Sequence, residues 1–180
     1  MAHFAVTAVG ADRPGIVAAV TSAFVDHGCN LEDSSMTILR GQFAMMLVVD
    51  APPGVGSAEL EAAVGAPAAS LGLVVTVRPA SEPADQDASE DRGSWTVSVY
   101  GADHPGIVHG MAAVLAGQAV NIVDLSTRVV GDVGDPVYTM VLEVTLPADV
   151  DPRELERQLE ATAGELGVTC RLRPSEADIL

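Results

Sequence analysis

The sequence predicts an α+β protein made of two tandem copies of one βαββαβ unit. The segment Gly10–Val17 (GADRPGIV) returns almost unchanged as Gly101–Val108 (GADHPGIV), and the correspondence continues as far as Arg78 and Arg173. Self-similarity at a fixed spacing indicates repeated folding units. Within each copy, alternating apolar residues, helical apolar faces and turn residues follow one another in the order β-α-β-β-α-β.

Local patterns in the first copy define its elements in order. Pro14 is placed where the first helix can begin, because its fixed φ suits a first helical turn, and Gly28 closes that helix as a C-cap. The dipeptide Arg40-Gly41 indicates a tight hairpin turn, and Ser57 is the expected cap of the second helix. The predicted strands are 3–10, 31–39, 42–50 and 73–78, and the helices present the apolar residues Ile16, Val20, Ala23 and Phe24, then Leu60, Ala63, Val64 and Leu71.

The second copy repeats this order with four extra residues in its hairpin loop, 131–136, where an insertion costs little. Its predicted strands are 94–101, 121–130, 137–146 and 167–173, and its helices present Ile107, Met111, Val114 and Leu115, then Leu155, Leu159 and Leu166. The order β-α-β-β-α-β is the split, ferredoxin-like arrangement. The sequence therefore predicts two tandem ferredoxin-like domains.

The domain boundaries follow from these elements. We expect a first domain at 1–79, an acidic solvated linker at 80–93, a second domain at 94–174 and an exposed tail at 175–180. Each domain is small for an independent core, so a homo-oligomer, most simply a homodimer, is expected. Both faces of the strand 42–50 are apolar, which indicates that the other copy or another chain covers the open face of the first sheet.

Composition and charge exclude several classes of function. The formal net charge is −16 and every basic residue is an arginine. Direct binding to nucleic acid requires a basic surface that replaces counterions, so it is not expected. No apolar run reaches the length of a membrane span, and the N-terminus lacks the basic and apolar regions of a signal peptide. We expect a cytoplasmic protein that does not contact the membrane.

Cysteine and histidine positions do not predict a metal site. Cys29 and Cys170 are not equivalent in the repeat and are expected to be buried thiols. The four histidines have no carboxylate or cysteine at metal-ligand spacing, and no nucleophile elbow, phosphate-binding loop or metalloprotease motif occurs. The sequence predicts no metal, no cofactor and no catalytic activity.

The repeated Asp-x-Pro-Gly loop has two interpretations. It can simply end a strand and begin a helix, with proline starting the helix, glycine permitting a tight backbone and aspartate as the cap. It can also bind a ligand, because a helix N-terminus attracts a carboxylate and glycine lets a ligand approach the backbone. Asp12 and Asp103 would then accept hydrogen bonds from a ligand ammonium group, a combination that suits a free amino acid.

Polar residues after the first helix of each copy form the second candidate set. Asn30 and Asn121 are either turn residues or amide donors to a ligand held between two domains. The repeated pair Asp33 and Asp124 is more typical of solvent-facing strand positions.

The motif Gly-x-Asp-Arg-Pro-Gly-Ile-Val, followed after the first helix by Gly-Cys-Asn-Leu, resembles the ACT domain. Two such domains, with the segments 28–36 and 41–46, resemble the glycine cleavage system transcriptional repressor family over nearly the whole chain. The resemblance implies a sensor of small ligands, usually amino acids, that lie at a domain–domain interface. The residues it implies are Asp12, Pro14, Gly15, Ile16, Asn30, Leu31, Asp103, Pro105, Gly106, Ile107, Asn121 and Ile122.

The repressor family also implies a partner. Its members act through a DNA-binding protein with glycine as the suggested signal, so glycine or serine is the expected ligand and a regulatory protein the expected partner. Some amino-acid-binding ACT domains have asparagine where this chain has Asp12 and Asp103, which leaves the ligand open. Two alternatives remain: an interaction module without a ligand, and a regulatory subunit of a separate metabolic enzyme.

Overall fold

The structure is a computed structural model that describes residues 2–80, 93–131 and 136–175. The chain divides into two compact units, Met1–Gln86 and Asp87–Leu180. Nearly all of the predicted linker and tail, and most of the longer hairpin loop, lie outside the described residues.

The first unit has the predicted order of elements. They are β1 (Ala2–Ala11), α1 (Ile16–Asp26), β2 (Asn30–Leu39), β3 (Gln42–Ala51), α2 (Ser57–Ser70) and β4 (Val74–Pro79). The strands form one antiparallel sheet in the order β2-β3-β1-β4. β2 and β4 are therefore its edges.

The second unit repeats this topology. Its elements are β5 (Ser94–Gly101), α3 (Ile107–Gly117), β6 (Asn121–Val130), β7 (Val137–Thr145), α4 (Pro152–Glu165) and β8 (Val168–Pro174). The sheet order is β6-β7-β5-β8, again antiparallel throughout. The predicted α+β class and tandem βαββαβ arrangement are confirmed.

One face of each sheet packs against the two helices of its own unit. In the first unit the buried residues of α1 are the four predicted ones, and they pack with alternate residues of β1 and β3 such as Val6 and Leu47. In the second unit Met111 and Leu115 of α3 occupy the corresponding core, whereas Val114 packs only partly against it. Burying the apolar stripe of each helix against the sheet stabilises each unit.

The opposite face of the first sheet is apolar and partly exposed. Val9, Met46 and Val74 are each at least half exposed on this face. In the second unit the aligned positions are Tyr100, Val141 and Thr169, a more polar set. That another surface covers the apolar face remains a prediction.

Two local details differ from the predictions. α1 begins at Ile16, so Pro14 lies in the turn before the helix rather than in its first turn, and Gly15 occupies the N-cap position. Ser57 is the first residue of α2, and Gly56 precedes it as the N-cap. Pro67 lies inside α2, three residues before its end. Gly28, with a positive φ of 67°, ends α1 as predicted.

The hairpin between β2 and β3 fixes their register. Arg40 and Gly41 have φ values of 50° and 78°, the pattern of a two-residue turn that matches the twist of the strands. Leu39 and Gln42 pair directly beside this turn. Across residues 2–80, 93–131 and 136–175, no helix has both the length and the apolar character needed to cross a membrane.

Candidate functional site

Glycine at the start of α1 and α3 is required by backbone geometry. Gly15 and Gly106 have φ values of 93° and 104°, in the left-handed region that other residues rarely adopt. A Cβ added to either residue would meet nothing within 4 Å. The space beside each helix N-terminus is therefore open, and a ligand could approach the backbone there.

Among the described residues, no side chain caps either of these helices. Asp12 and Asp103 are exposed, and neither accepts a hydrogen bond from the first turn of the helix that follows it. The expectation that aspartate acts as the cap is therefore wrong. In the part of the chain that the structure describes, the first N–H groups of α1 and α3 have no side-chain acceptor, and the positive end of the helix dipole points out of the loop.

A cavity of about 520 Å³ opens at the N-terminus of α1. Its lining residues are Asp12, Arg13, Pro14, Gly15, Ile16, Val17, Ala18, Met36 and Phe43. Four of these are predicted site residues, so the structure brings together the whole predicted set from the first loop. The cavity is large enough for a free amino acid, and Arg13 adds a cation beside the helix end.

Arg13, Met36 and Phe43 were missed by the sequence prediction. Met36 and Phe43 reach the loop because β1 ends opposite the start of β3, where Ala11 pairs with Gln42. The tight turn at Arg40 and Gly41 was the only signal in the sequence that could have placed these strand ends beside the loop.

The second candidate set lies at the other end of the sheet. Asn30 pairs with Asp50 of β3, whereas Ala11 pairs with Gln42 of β3. Asp50 and Gln42 are eight residues apart along β3, a distance of about 27 Å. Asn30 is exposed, and Leu31 packs partly against the core. One unit therefore does not bring Asp12 and Asn30 to the same small ligand.

The second unit has the same separation. Gly101, which precedes its loop, pairs with Tyr138, whereas Asn121 pairs with Thr145 at the far end of β7. Asp103, Pro105 and Gly106 are exposed in the loop, Ile107 is buried in the core, and Ile122 packs partly against it.

His104 distinguishes the second loop from the first. Its Nε2 lies within hydrogen-bonding distance of the Leu166 carbonyl at the end of α4, and its Nδ1 lies 3.0 Å from the Pro105 carbonyl. These two backbone acceptors, and to a smaller extent the charge of Asp103, raise the pKa of His104. The aligned residue in the first unit is Arg13.

Both cysteines are free thiols in different units. Cys170 is buried, which raises the pKa of its thiol to about 11, and Cys29 is half-buried. Within the described ranges, no group of three or more histidine, cysteine, aspartate or glutamate side chains is placed to hold a metal ion.

The family follows from a comparison of the chain with known domains. A model of the ACT domain matches residues 2–78 and 96–173, which together are most of the sequence. The chain belongs to the ACT domain family. The two matches of this ACT protein coincide with the two βαββαβ units, as the sequence repeat predicts.

The similarity of this ACT protein to a known regulator extends over most of its length. The glycine cleavage system transcriptional repressor of Escherichia coli (strain K12) is 26% identical over 166 residues, covering 91% of this chain and 85% of the repressor. A UPF0237 protein of Methanopyrus kandleri is 52% identical over 50 residues, covering 28% of this chain and 56% of that protein. An unknown protein from Galdieria sulphuraria has a crystal structure with a TM-score of 0.83 and 29% identity, covering 97% of this chain and 99% of its own.

Proposed function

We propose that this tandem ACT protein is a regulator that binds a small free amino acid, glycine or serine, and acts through a protein partner rather than on DNA directly. The observation that supports the proposal best is the open, uncapped helix N-terminus in both units, with a cavity beside it in the first. The similarity to a transcriptional repressor over 91% of this chain supports a regulatory role.

The ligand carboxylate binds at the helix N-terminus in this proposal. The N–H groups of the first turn donate to it, and the helix dipole stabilises its charge. Arg13 lines the same cavity and adds a second positive group. Gly15 leaves the approach to the backbone open.

Pairing of edge strands completes the site in this proposal. Every residue of β2 except Leu31 is exposed, and the outer edge of β2 pairs with no strand among the described residues. Such an edge readily accepts another strand. Antiparallel pairing of β2 from two chains places Asn30 of one copy at the end of the other copy's sheet where the loop lies, because antiparallel strands bring opposite ends together. A homodimer then joins the two residue sets that one unit separates.

The net charge of −16 argues for an indirect effect on genes. A chain this acidic repels the phosphate backbone, so a protein partner that itself binds DNA is the simpler route. The protein has one conformation that recognises this partner and one that does not. For amino-acid binding to act as a switch, the ligand must bind one of these two conformations more tightly than the other.

Calorimetric titration of the purified chain with glycine, serine and the other free amino acids tests the proposal. We expect saturable binding of one of them with a dissociation constant in roughly the millimolar to high-micromolar range, since so small a ligand offers little contact. Asp12→Ala and Asn30→Ala should each weaken binding by about tenfold or more, roughly the loss of one charged hydrogen bond. Asp26→Ala, which removes an exposed carboxylate at the opposite end of α1, is the matched control and should bind like the wild type.

The opposite result defines the second candidate function. A folded protein that gives no heat with any amino acid would refute the proposed function. The exposed edges of β2 and β6 and the apolar open face would then favour an interaction module that binds another protein without a small ligand.

A further inference from the structure

The first sheet has one face that its own helices leave uncovered, which we call the open face. Strand alternation shows which residues belong to it. Phe4 and Val6 of β1 are buried on the helix side, so Ala5, which lies between them, points to the open face. Residues that pair directly across neighbouring strands have their side chains on the same face. The pairings of Ala5 and its neighbours therefore define the open face on all four strands.

The centre of the open face is apolar and its hydroxyl groups are paired. Val9, Met46 and Val74 lie there and are each at least half exposed. Between them, the Oγ1 atoms of Thr7 and Thr76 lie 2.6 Å apart and form a hydrogen bond with each other. Covering this centre would therefore remove apolar area from water while these two hydroxyl groups keep a partner.

One row of the open face has opposite charges at its two ends. Asp33 of β2 pairs with Val48 of β3, Val48 with Ala5 of β1, and Ala5 with Arg78 of β4. Asp33 and Arg78 are both exposed and lie on the two edge strands. Three strand spacings, about 14 Å, separate them. No ion pair forms between these two described residues, so the row leaves a carboxylate and a guanidinium available to a partner.

A second copy of the same face would pair both charges. Sheets that pack face to face lie about 10 Å apart with strand directions within about 30° of each other. A half-turn about an axis along the strands keeps each row level and exchanges its two edges. Asp33 of one copy then faces Arg78 of the other, and the reverse pair forms by symmetry. In the next row, the same rotation places Asp50 opposite His3 of the other copy, because these two residues pair across β1 and β3.

The charges distinguish this orientation from the other symmetric one. A half-turn about an axis across the strands would place β2 over β2 and β4 over β4. Asp33 would then face the other copy's β2 and Arg78 its β4, so the two charges would not meet. Rotation about the axis along the strands is therefore the arrangement that the charges favour.

The second unit has the same edge charges but a different centre. Its corresponding row is Asp124, Glu143, Thr96 and Arg173. Glu143 stands where the first unit has Val48, and packing against another sheet would remove this carboxylate from water at a high cost. The open face of the second sheet is therefore much less suited to the same contact.

We propose that the open face of the first sheet binds the same face of a second copy of this chain, with Asp33 and Arg78 paired reciprocally. The inference goes beyond the proposed function, because the contact uses the face of the sheet rather than the edge of β2 and involves none of the residues that line the cavity.

The size of the open face sets the strength of this contact. Four strands, each with about seven residues, span roughly 19 Å by 24 Å, or about 450 Å² on each copy. The total of about 900 Å² is smaller than the roughly 1,200–2,000 Å² that stable complexes bury. The association is therefore weak, and it increases with protein concentration.

Sedimentation equilibrium of the purified chain over a range of concentrations tests the contact. Asp33→Arg and Arg78→Asp each place like charges opposite one another, so each should weaken association by about tenfold or more. An equimolar mixture of the two variants should associate as the wild type does. In the mixture, both arginines of one variant face both aspartates of the other.

The mixture also separates this contact from pairing of β2 edges. Arg78 lies on β4, at the opposite edge of the sheet, so a change there cannot repair a defect in the pairing of β2. Asp124→Arg makes the same change of charge at the matching position of the second sheet. It is the control and should leave the association unchanged, and circular dichroism confirms that each variant is folded.

Recovery of association in the mixture would support the contact between two copies. Three results would overturn it: a wild type that does not associate at any concentration, folded single variants that associate like the wild type, or a mixture that does not recover. An effect of Asp124→Arg as large as that of Asp33→Arg would also overturn it, by assigning the contact to the second sheet. Amino-acid binding is measured separately by calorimetry, so the proposed function can fail while this contact stands.

Discussion

At the scale of single residues, Gly15 and Gly106 have a conformational role and leave space at the candidate site. Their positive φ explains why glycine occurs at this point in both copies. The open space around them is compatible with ligand access but does not require it. Substitution by alanine, whose Cβ would meet nothing within 4 Å, therefore measures how much the left-handed backbone contributes to the free energy of unfolding.

We predict that Gly15→Ala lowers the free energy of unfolding by about 1–2 kcal/mol, the cost of a left-handed conformation for a residue with a Cβ. Urea denaturation followed by circular dichroism measures it. Gly65→Ala is the control within the same unit, because Gly65 lies inside α2 and a methyl group added there would meet nothing within 4 Å. It should raise the free energy of unfolding by about 0.5–1 kcal/mol. Equal effects of the two substitutions would contradict this account.

His104 links the second loop to the end of α4, and this link depends on its charge. Both ring nitrogens face carbonyl oxygens, so only the protonated imidazole can donate to both. The pKa of His104 is raised above the ordinary value of 6.5. Its contribution to stability is therefore fully present below about pH 6.5, where the unfolded chain is also protonated, and is lost as the pH rises through the higher pKa of the folded state.

We predict that His104→Gln destabilises the protein at pH 5.5 and has a smaller effect at pH 8.5. The neutral amide cannot replace the imidazolium at low pH, whereas at high pH the wild type has already lost its second donor. Thermal unfolding of both proteins across this pH range measures the difference. A difference in melting temperature that is constant with pH, or that grows toward high pH, would refute the assignment.

At the scale of secondary-structure elements, the sequence predicted the strands to within one or two residues. Strict alternation in segments such as 42–50 and glycine at turns such as Gly28 define strands and helix ends locally. The two helix starts, at Ile16 and Ser57, were displaced because proline and serine each suit more than one position near a helix N-terminus.

The candidate site was harder to predict because it depends on strand register. The loop residues are adjacent in sequence, so their grouping could be predicted. Two features follow from strand pairings that no single segment of sequence encodes. Met36 lines the cavity, and Asp12 and Asn30 lie about 27 Å apart, which is about eight residues of strand.

The exposed edge of β2 leads to a prediction for assembly. Met36 and Ile38 are about half exposed on this strand. The double substitution Met36→Lys and Ile38→Lys should shift a homodimer toward monomer, because charged side chains on an edge oppose strand pairing. Light scattering after size exclusion measures the mass. Val25→Lys, at an exposed position on α1, is the control and should leave the mass unchanged.

At the scale of the whole molecule, the two units of the repeat can be compared with each other. Features common to both units, such as the open helix N-terminus and the unpaired edge strand, belong to the shared fold. A feature of one unit alone, such as His104, is not required by the shared fold and is the better candidate for a specialised role. The acidic surface is consistent with contacts to proteins rather than to nucleic acid.

The difference between the two loops has a consequence for how the protein would respond to its ligand. Arg13 lines the cavity of the first unit, whereas the aligned His104 is held by the Leu166 carbonyl. If the first loop binds the ligand carboxylate more strongly than the second, the chain has one site of higher affinity and one of lower affinity. Occupancy then rises in two stages as the metabolite accumulates. Two sites of different affinity respond over a wider range of ligand concentration than two identical sites would.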